Sequence, residues 1–418
     1  MLKKSLFSIV CGLFLLTAVQ AEPIDPISGV YGSVNYLITG EPNNLTLAIW
    51  GNGAMPEHED AWNRPWFDMG NGDLRASIKH ITVAEGVLNI GGYAFEACGL
   101  SSIVLPNSVS TIGNNAFHNC GDMTSITLPN TLTSIGDYAF WWTGLISVTV
   151  PESVTSLGAW AFAHCGNLTS ITLPSTMTVL PDYFLCWSHS LPSITLPASL
   201  TAIGEAALQG LMSLTSLEIP AGVISLGFGA LAESGYSTLT LPEGIDTIPN
   251  QCFYHCVNLT SLEIPESVVF IGNVAFCHCE SLTQLTFKSI TPPTFDEDWI
   301  CEYDEGATNP TITVPCDALT DYQNAIPDYT LIPDNNCTGI ESVNALEWHI
   351  YPNPVKNELF LSGDFPVTKA EIYNITGALL LSEININGKI NLSALLPGSY
   401  MLMIYTDNSV AVKKVVKE

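Results

Sequence analysis

Side chains able to hold a metal recur along the middle of this chain. Cys98, Cys120, Cys165, Cys256 and Cys279 stand at regular intervals, and His118, His164, His255 and His278 each lie one or two residues from such a cysteine. Cys277-His278-Cys279 brings three ligand groups together. Tetrahedral zinc needs four convergent ligands, whereas neighbours in a tight turn diverge, so the group reads as structural. Asp296, Glu297, Asp298, Glu302, Asp304 and Glu305 offer oxygen ligands of the kind calcium takes. They lack an EF-hand-like spacing and read as a solvated loop, with calcium left open. No Gly-x-Ser-x-Gly elbow and no Gly-Lys-Ser/Thr phosphate loop occurs. Scattered acidic pairs leave an enzyme as the third-ranked reading; no catalytic residue, metal or cofactor is expected.

Hydroxyl groups form the better candidate site. Ser125, Ser147, Ser170 and Ser193 recur at one slot, and Thr127, Thr149, Thr172, Thr195 and Thr240 recur two residues further on. Apolar residues separate the two rows, as on a short strand with one wet face. Such rows arise from β propensity and cross-strand packing alone, and a regular threonine array also suits ice. The functional reading is a neutral, hydroxyl-rich face that binds a macromolecule, either a host or matrix protein or a glycan. The rival is a structural or matrix component with no single ligand.

A repeat positions these rows. Pro106, Pro129, Pro151, Pro174, Pro197, Pro220, Pro242 and Pro265 follow short apolar runs at spacings of 23, 22, 23, 23, 23, 22 and 23 residues, and Ala84 holds the same slot one unit earlier. About nine units of 22–23 residues therefore span residues 79–288, and a fixed period of this size predicts a solenoid of stacked coils. In the unit from Met123 to Phe140, the side chains of Met123, Ile126, Leu128, Leu132, Ile135 and Phe140 point inwards. Gly136 begins a turn, in a slot where Pro181 and Pro249 replace glycine. The cysteine slot, 14 residues after each unit proline, suits a small side chain stacking on itself. Coils about 4.8 Å apart would bring Cys98 near Cys120 and Cys256 near Cys279, but parallel side chains hold sulfurs poorly for bonding. A bridge among Cys301, Cys316 and Cys337, beyond the array, stays open.

The chain as a whole narrows the function further. Residues 1–21 read as an export signal, with Lys3 and Lys4, an apolar stretch and cleavage after Ala21. No other stretch is apolar for long enough to span a membrane, so a secreted, soluble product is expected. Lys and Arg number 12 against 40 Asp and Glu, and Lys288 is the only basic residue between Lys79 and Lys356. Nucleic acid binding needs cations to displace counterions from phosphates, which excludes it for the repeat.

The phrase Leu-x-x-Ile-x-Leu-Pro-x-x-Leu-x-x-Ile-Gly-x-x-Ala-Phe-x-x-Cys, nearly complete at residues 100–120, closely resembles the BspA-like bacterial leucine-rich repeats. Residues 45–56 with Trp66 resemble that family's amino-terminal hairpin cap, within a cap region 22–78. Thr291–Phe295 and Thr313–Pro315 with Tyr322 resemble its closing turn, within 289–333. The resemblance implies a leucine-rich-repeat solenoid with short parallel strands and β-rich caps. It also implies a surface-exposed interaction protein, such as an adhesin.

A polar linker at 334–344 leads to residues 345–418, where lysine returns and short alternating runs suggest a small all-β sandwich. Tyr351-Pro352-Asn353-Pro354, Ile372 to Gly377, Gly398-Ser-Tyr400 and the end around Lys413-Lys414 resemble the type A sorting domain of type IX (Por) secretion. This implies the type IX machinery as a partner, passage across the outer membrane, and removal of the domain as the protein is released or anchored.

Overall fold

The computed structural model describes residues 22–58, 64–67, 73–301, 309–334, 348–363, 366–384, 386, 388–406 and 410–418. The expected signal cleavage at Ala21 and nearly all of the 334–344 linker lie outside these residues.

Each unit folds into one coil with three sides. The first is a strand such as Ser125–Thr127 or Ser147–Thr149, the second a two-residue strand such as Thr111–Ile112 or Ser134–Ile135, and the third a run of tight turns such as residues 136–143. Nine two-residue strands, from Asn89–Ile90 to Phe270–Ile271, mark nine coils. Neighbouring coils pair in parallel and in register, Ser102 with Ser125 and Thr111 with Ser134. A one-unit shift thus places each side chain on its own equivalent. The apolar slots therefore stack into one buried core running through both caps. Phe117, Phe140 and Phe162 stack ring on ring and Phe95 packs tilted against Phe117, with centroids 5.0–5.4 Å apart. Leu185, Leu208 and Leu231 fill the same buried slot in the next three coils.

The turn side is held by a second ladder. Tyr93, Phe95 and Ala97 donate their N–H groups to Asn114, Ala116 and His118 of the next coil at 2.7–2.8 Å. The alternate N–H groups close four-residue turns within the coil, as Ala94 does onto Gly91. This geometry holds two residues per coil at positive φ, among them Tyr138 (56°) and Trp142 (55°), and sixteen of them are not glycine. The left-handed conformation costs an L-residue about 1–2 kcal/mol, which the inter-coil hydrogen bonds offset. The glycine slot has a different cause. A Cβ on Gly136 would lie 2.7 Å from the backbone nitrogen of Asn114 in the preceding coil, so coil stacking itself forbids a side chain there. The next residue completes the contact: the Asn114 side-chain oxygen accepts from the Asp137 N–H, and that of Asp137 from the Ala159 N–H, both at 2.8 Å.

Three prolines interrupt the ladders. Gly136, Gly158 and Gly204 each donate to the preceding coil at 2.8–2.9 Å; Pro181 and Pro249 stand in that slot without an N–H. The two-residue strands duly separate into groups at these points. On the other side, Thr124, Ile146 and Thr169 donate backward at 2.9–3.0 Å, and Pro192 occupies the next equivalent position.

Caps complete both ends. The amino-terminal sheet joins Ile27–Tyr31, Val34–Glu41 and Asn44–Trp50 antiparallel, then adds Ile78–Val83 parallel to the third strand. Its side chains serve the first coil: Trp66 donates to Ala94 O at 2.8 Å, Arg64 to Tyr93 O, and Glu57 accepts from Gly92 N–H at 2.8 Å. The buried Arg64 guanidinium pairs with Glu96 at 2.6 Å, and Arg75 reaches the same carboxylate at 2.8 Å. Burial raises the Glu96 pKa, but His118, Arg64 and Arg75 outweigh it and hold the group down at about 2. At the far end Asp298 and Trp299 accept from Val274 and Phe276 at 2.9 Å. There Thr311–Val314, the helix Leu319–Ala325 and Leu331–Pro333 close the core over Tyr322.

The carboxyl-terminal module has its own buried core, including Trp348, Leu359, Ile372, Leu402 and Val415. One sheet joins His349–Tyr351, Glu358–Ser362 and Lys389–Asn391; the other orders Leu379–Ile384, Lys369–Tyr373, Gly398–Tyr405 and Val410–Lys417.

Two measurements test this account. Val274 is β-branched yet sits at φ 49°, so Val274→Asn should stabilise the array by about 1 kcal/mol, since asparagine tolerates that region; thermal denaturation reads it. Glu96 has its folded pKa below its ordinary 4.5. Its stabilisation is therefore complete above pH 4.5 and lost as pH falls through about 2. The Tm difference between wild type and Glu96→Gln should shrink to nothing across that window, and a gap constant with pH would refute the ion-pair role.

Candidate functional site

The hydroxyl rows lie where the repeat positions them. Ser125, Thr127, Ser147, Thr149, Ser170, Thr172 and Thr240 occupy strands and are exposed, while the residue between each serine and threonine faces the core. Ser147 pairs with Ser170 and Thr149 with Thr172, directly opposite one another. Ser193 and Thr195 are exposed too, but their segment forms no strand. Pro192 removes the N–H that would start its pairing, so the rows are not one continuous sheet. Beyond the rows the face turns charged: Lys288 Nζ is held by Glu263 at 2.7 Å and Glu243 at 3.5 Å. The hydrogen bond it donates to Glu263 leads in raising its pKa.

The cysteine slot is structural, with a partner the sequence did not reveal. Cys120, Cys165 and Cys256 donate their thiols to the carbonyls of Phe95, Phe140 and Leu231 in the preceding coil at 3.0–3.3 Å. Cys279 does the same to Phe253 O at 3.1 Å. Ser188 and Ser234 fill the slot in other coils and donate to Phe162 O and Leu208 O at 2.8 and 3.0 Å. Burial raises these thiols, Cys165 to about 11 and Cys256 to about 12. Cys98, Cys120 and Cys256 are free, so neither pair within range is bridged.

Cys277 and Cys301 form a disulfide with Cα atoms 4.8 Å apart. The pairing of Cys301, left open by the sequence, is thus with a cysteine inside the array. Cys277 lies in the last coil and Cys301 in the turn that caps it, so coil stacking brings them together. Cys316 is also disulfide-bonded, and Cys337 lies outside the described residues. The disulfide takes Cys277 out of the Cys277-His278-Cys279 group. No cluster of three His, Cys, Asp or Glu side chains able to hold a metal occurs among the described residues. Glu302, Asp304 and Glu305 of the acidic run lie outside them.

In the carboxyl-terminal module the structure joins motifs that are far apart in sequence. Both X–Pro bonds of Tyr351-Pro352-Asn353-Pro354 are cis. The Asn353 amide donates to Lys414 O at 2.8 Å and accepts from Val416 N–H at 2.7 Å. The Tyr-Pro-Asn-Pro motif is thereby fastened to the last strand, which carries Lys413 and an exposed Lys414. Gly377, at φ 80°, closes a turn onto Asn374 O at 3.1 Å. Tyr400 follows Gly398 in its strand and donates to Leu396 O at 2.6 Å. These four motif segments build the sandwich rather than a surface cluster.

A row of aromatic residues on the turn edge escaped the sequence reading. Trp142, His164 and Trp187 stand in one slot of three successive coils, so the proline alignment that exposed the threonines would have exposed them as well.

Two family models match the chain. The family description BspA type Leucine rich repeat region, in 6 copies, matches residues 74–191 and 179–297, and Secretion system C-terminal sorting domain matches residues 349–418. A search of curated proteins returns no match. Among solved structures, a leucine-rich repeat protein from Bacteroides ovatus ATCC 8483 is 23% identical with a TM-score of 0.43, over 73% of this chain and 99% of that one. A leucine-rich repeat protein from Eubacterium ventriosum ATCC 27560 is 20% identical with a TM-score of 0.44, over 71% of this chain and 88% of that one. No helix among the described residues is long and apolar enough to cross a membrane. With more than half its length inside the matched repeats, the chain belongs to the BspA type leucine-rich-repeat family, and its sorting domain directs it through type IX secretion to the cell surface or extracellular space.

Proposed function

We propose that the exported chain is an adhesin-like binding protein and not an enzyme, with the hydroxyl-bearing strand face as its contact surface. The observation that carries this reading is the in-register, exposed pairing of Ser147 and Thr149 with Ser170 and Thr172. From Ser125 to Thr195 the exposed strand positions carry no charge, and the surface is long and shallow. It fits a protein partner, which needs a broad area of about 1,000 Å2 or more, better than a small substrate, which needs a cleft. Hydroxyls on a rigid scaffold offer donors and acceptors with little side-chain entropy to lose. The carboxyl-terminal module, from about residue 345, serves export and is removed near the linker at 334–345.

Two experiments follow. Changing Thr149, Thr172 and Thr195 together to Lys should leave the Tm unchanged, since all three are exposed. Saturable binding to host cells or immobilised matrix proteins should fall more than tenfold, because a lysine against a matched surface adds bulk and an unpaired charge. Binding that survives the change places the contact elsewhere; no saturable binding in the wild type favours a matrix component. For export, deleting residues 345–418 should leave the repeat folded but held in the periplasm of a host with type IX secretion. Mass spectrometry of the mature surface form should find a carboxyl end near 334–345. Normal export of the truncated chain would refute the sorting role, and an intact Lys413-Lys414 terminus would refute the processing.

A further inference from the structure

The corner where the turn segments run into the hydroxyl-bearing strands carries a separate groove of about 380 Å3. Gly121, Gly144 and Gly166, in the same slot of successive coils, line it together with Trp142, His164 and Trp187, and Asn167 and His189 add polar groups.

Two features of this groove lack a structural cause. Gly121 has no positive φ, and a Cβ there would meet nothing within 4 Å. The equivalent Gly144 is required, since its Cβ would lie 2.2 Å from Gly121 O. What the missing side chain at 121 does is keep the groove open, as where backbone must approach a ligand. The second feature is the wall. Trp142, His164 and Trp187 stand at φ 55°, 54° and 61°, where glycine or asparagine is the low-cost choice. Three successive coils place an aromatic ring there instead, and Trp142 is left 56% exposed. Every coil holds this slot at positive φ, so what marks the groove is the choice of aromatic rings there and the indole left in water.

The chemistry of the groove narrows its ligand. No basic residue occurs between Lys79 and Lys288, so an anionic ligand finds no counter-charge. No carboxylate lines the groove, so a cation finds none either. Burial lowers the His164 pKa, which keeps that imidazole neutral at pH 7. The ligand must therefore be neutral, with apolar faces for the indoles and polar edges for the imidazoles and amide. From Gly121 to His189 is three coil steps, about 14 Å. That is too small for a protein interface and within the size of small-ligand sites.

We propose that this groove binds a short neutral oligosaccharide, its sugar faces stacked on Trp142 and Trp187 and its hydroxyls bonded to His164, His189 and Asn167. Surface and ligand both differ from those of the strand face, so either reading can fail alone. The test is calorimetry and tryptophan fluorescence on the full-length chain with cellotriose, maltotriose, mannotriose and chitotriose. At least one should bind saturably and shift the indole emission. Gly121→Leu and Trp142→Ala should each weaken binding at least tenfold without lowering the Tm, while Thr149→Lys leaves it unchanged. If Gly121→Leu lowers the Tm, Asn167→Ala, at an exposed side chain, takes its place. Failure of all four sugars to bind, full binding by the variants, or displacement of the sugar by tetramethylammonium chloride would each overturn the proposal.

Discussion

The distance between coils governs this molecule. Backbone hydrogen bonds, on all three sides except where a proline intervenes, hold each coil against the next, and that spacing leaves no room for a Cβ on Gly136 above Asn114. The same closeness lets the Asn114 side chain reach the next coil's backbone and lets a thiol such as Cys120 reach the carbonyl behind it. It also obliges tyrosines, tryptophans and histidines to adopt a left-handed backbone. Local conformation is sacrificed to the ladder, and the ladder is repeated often enough to repay it.

A solenoid built this way has two kinds of ends and one kind of middle. Interior coils satisfy one another, whereas terminal coils need side chains to do the work of a missing neighbour. The amino-terminal cap supplies Trp66, Arg64 and Glu57 for this, with Glu96 balancing the buried guanidinium. The other end uses backbone carbonyls of Asp298 and Trp299 and a disulfide to Cys301. Among the described residues, the buried charged network of the repeat thus sits at its boundary, around Arg64, Arg75 and Glu96.

The sequence showed what depends on period and little that depends on approach. Nine coils, the inward set around Leu132 and Phe140, and the wet rows of Ser147 and Thr149 follow from apolar spacing alone. The two outer modules were legible from short motifs, though not the clasp of Asn353 on the last strand. Glycine at 136 was read as a turn former, while its true cause lies in the neighbouring coil. Pro181 was noted as a substitute for glycine, but the lost donor matters more than the turn. The Cys277–Cys301 bridge was missed because its partners belong to equivalent slots of the last coil and its cap. The aromatic groove was missed because its signal is partly an absence, the side chain that Gly121 does not have.

Pro181 follows the second side of one coil and Pro192 opens the first side of the next, so within this single turn of the solenoid the chain lacks a donor to the turn before it on two of three sides. What remains whole there is the turn ladder, with Trp160 stacked on Tyr183 at 4.0 Å and Ser188 bonded to Phe162 O. Under tension along its length, an elastic rod yields at its weakest section. This one would open on the strand side while the turn side held, bending as a hinge before it unravels. Load would then change curvature first and cost the fold nothing until the turn ladder itself gave way.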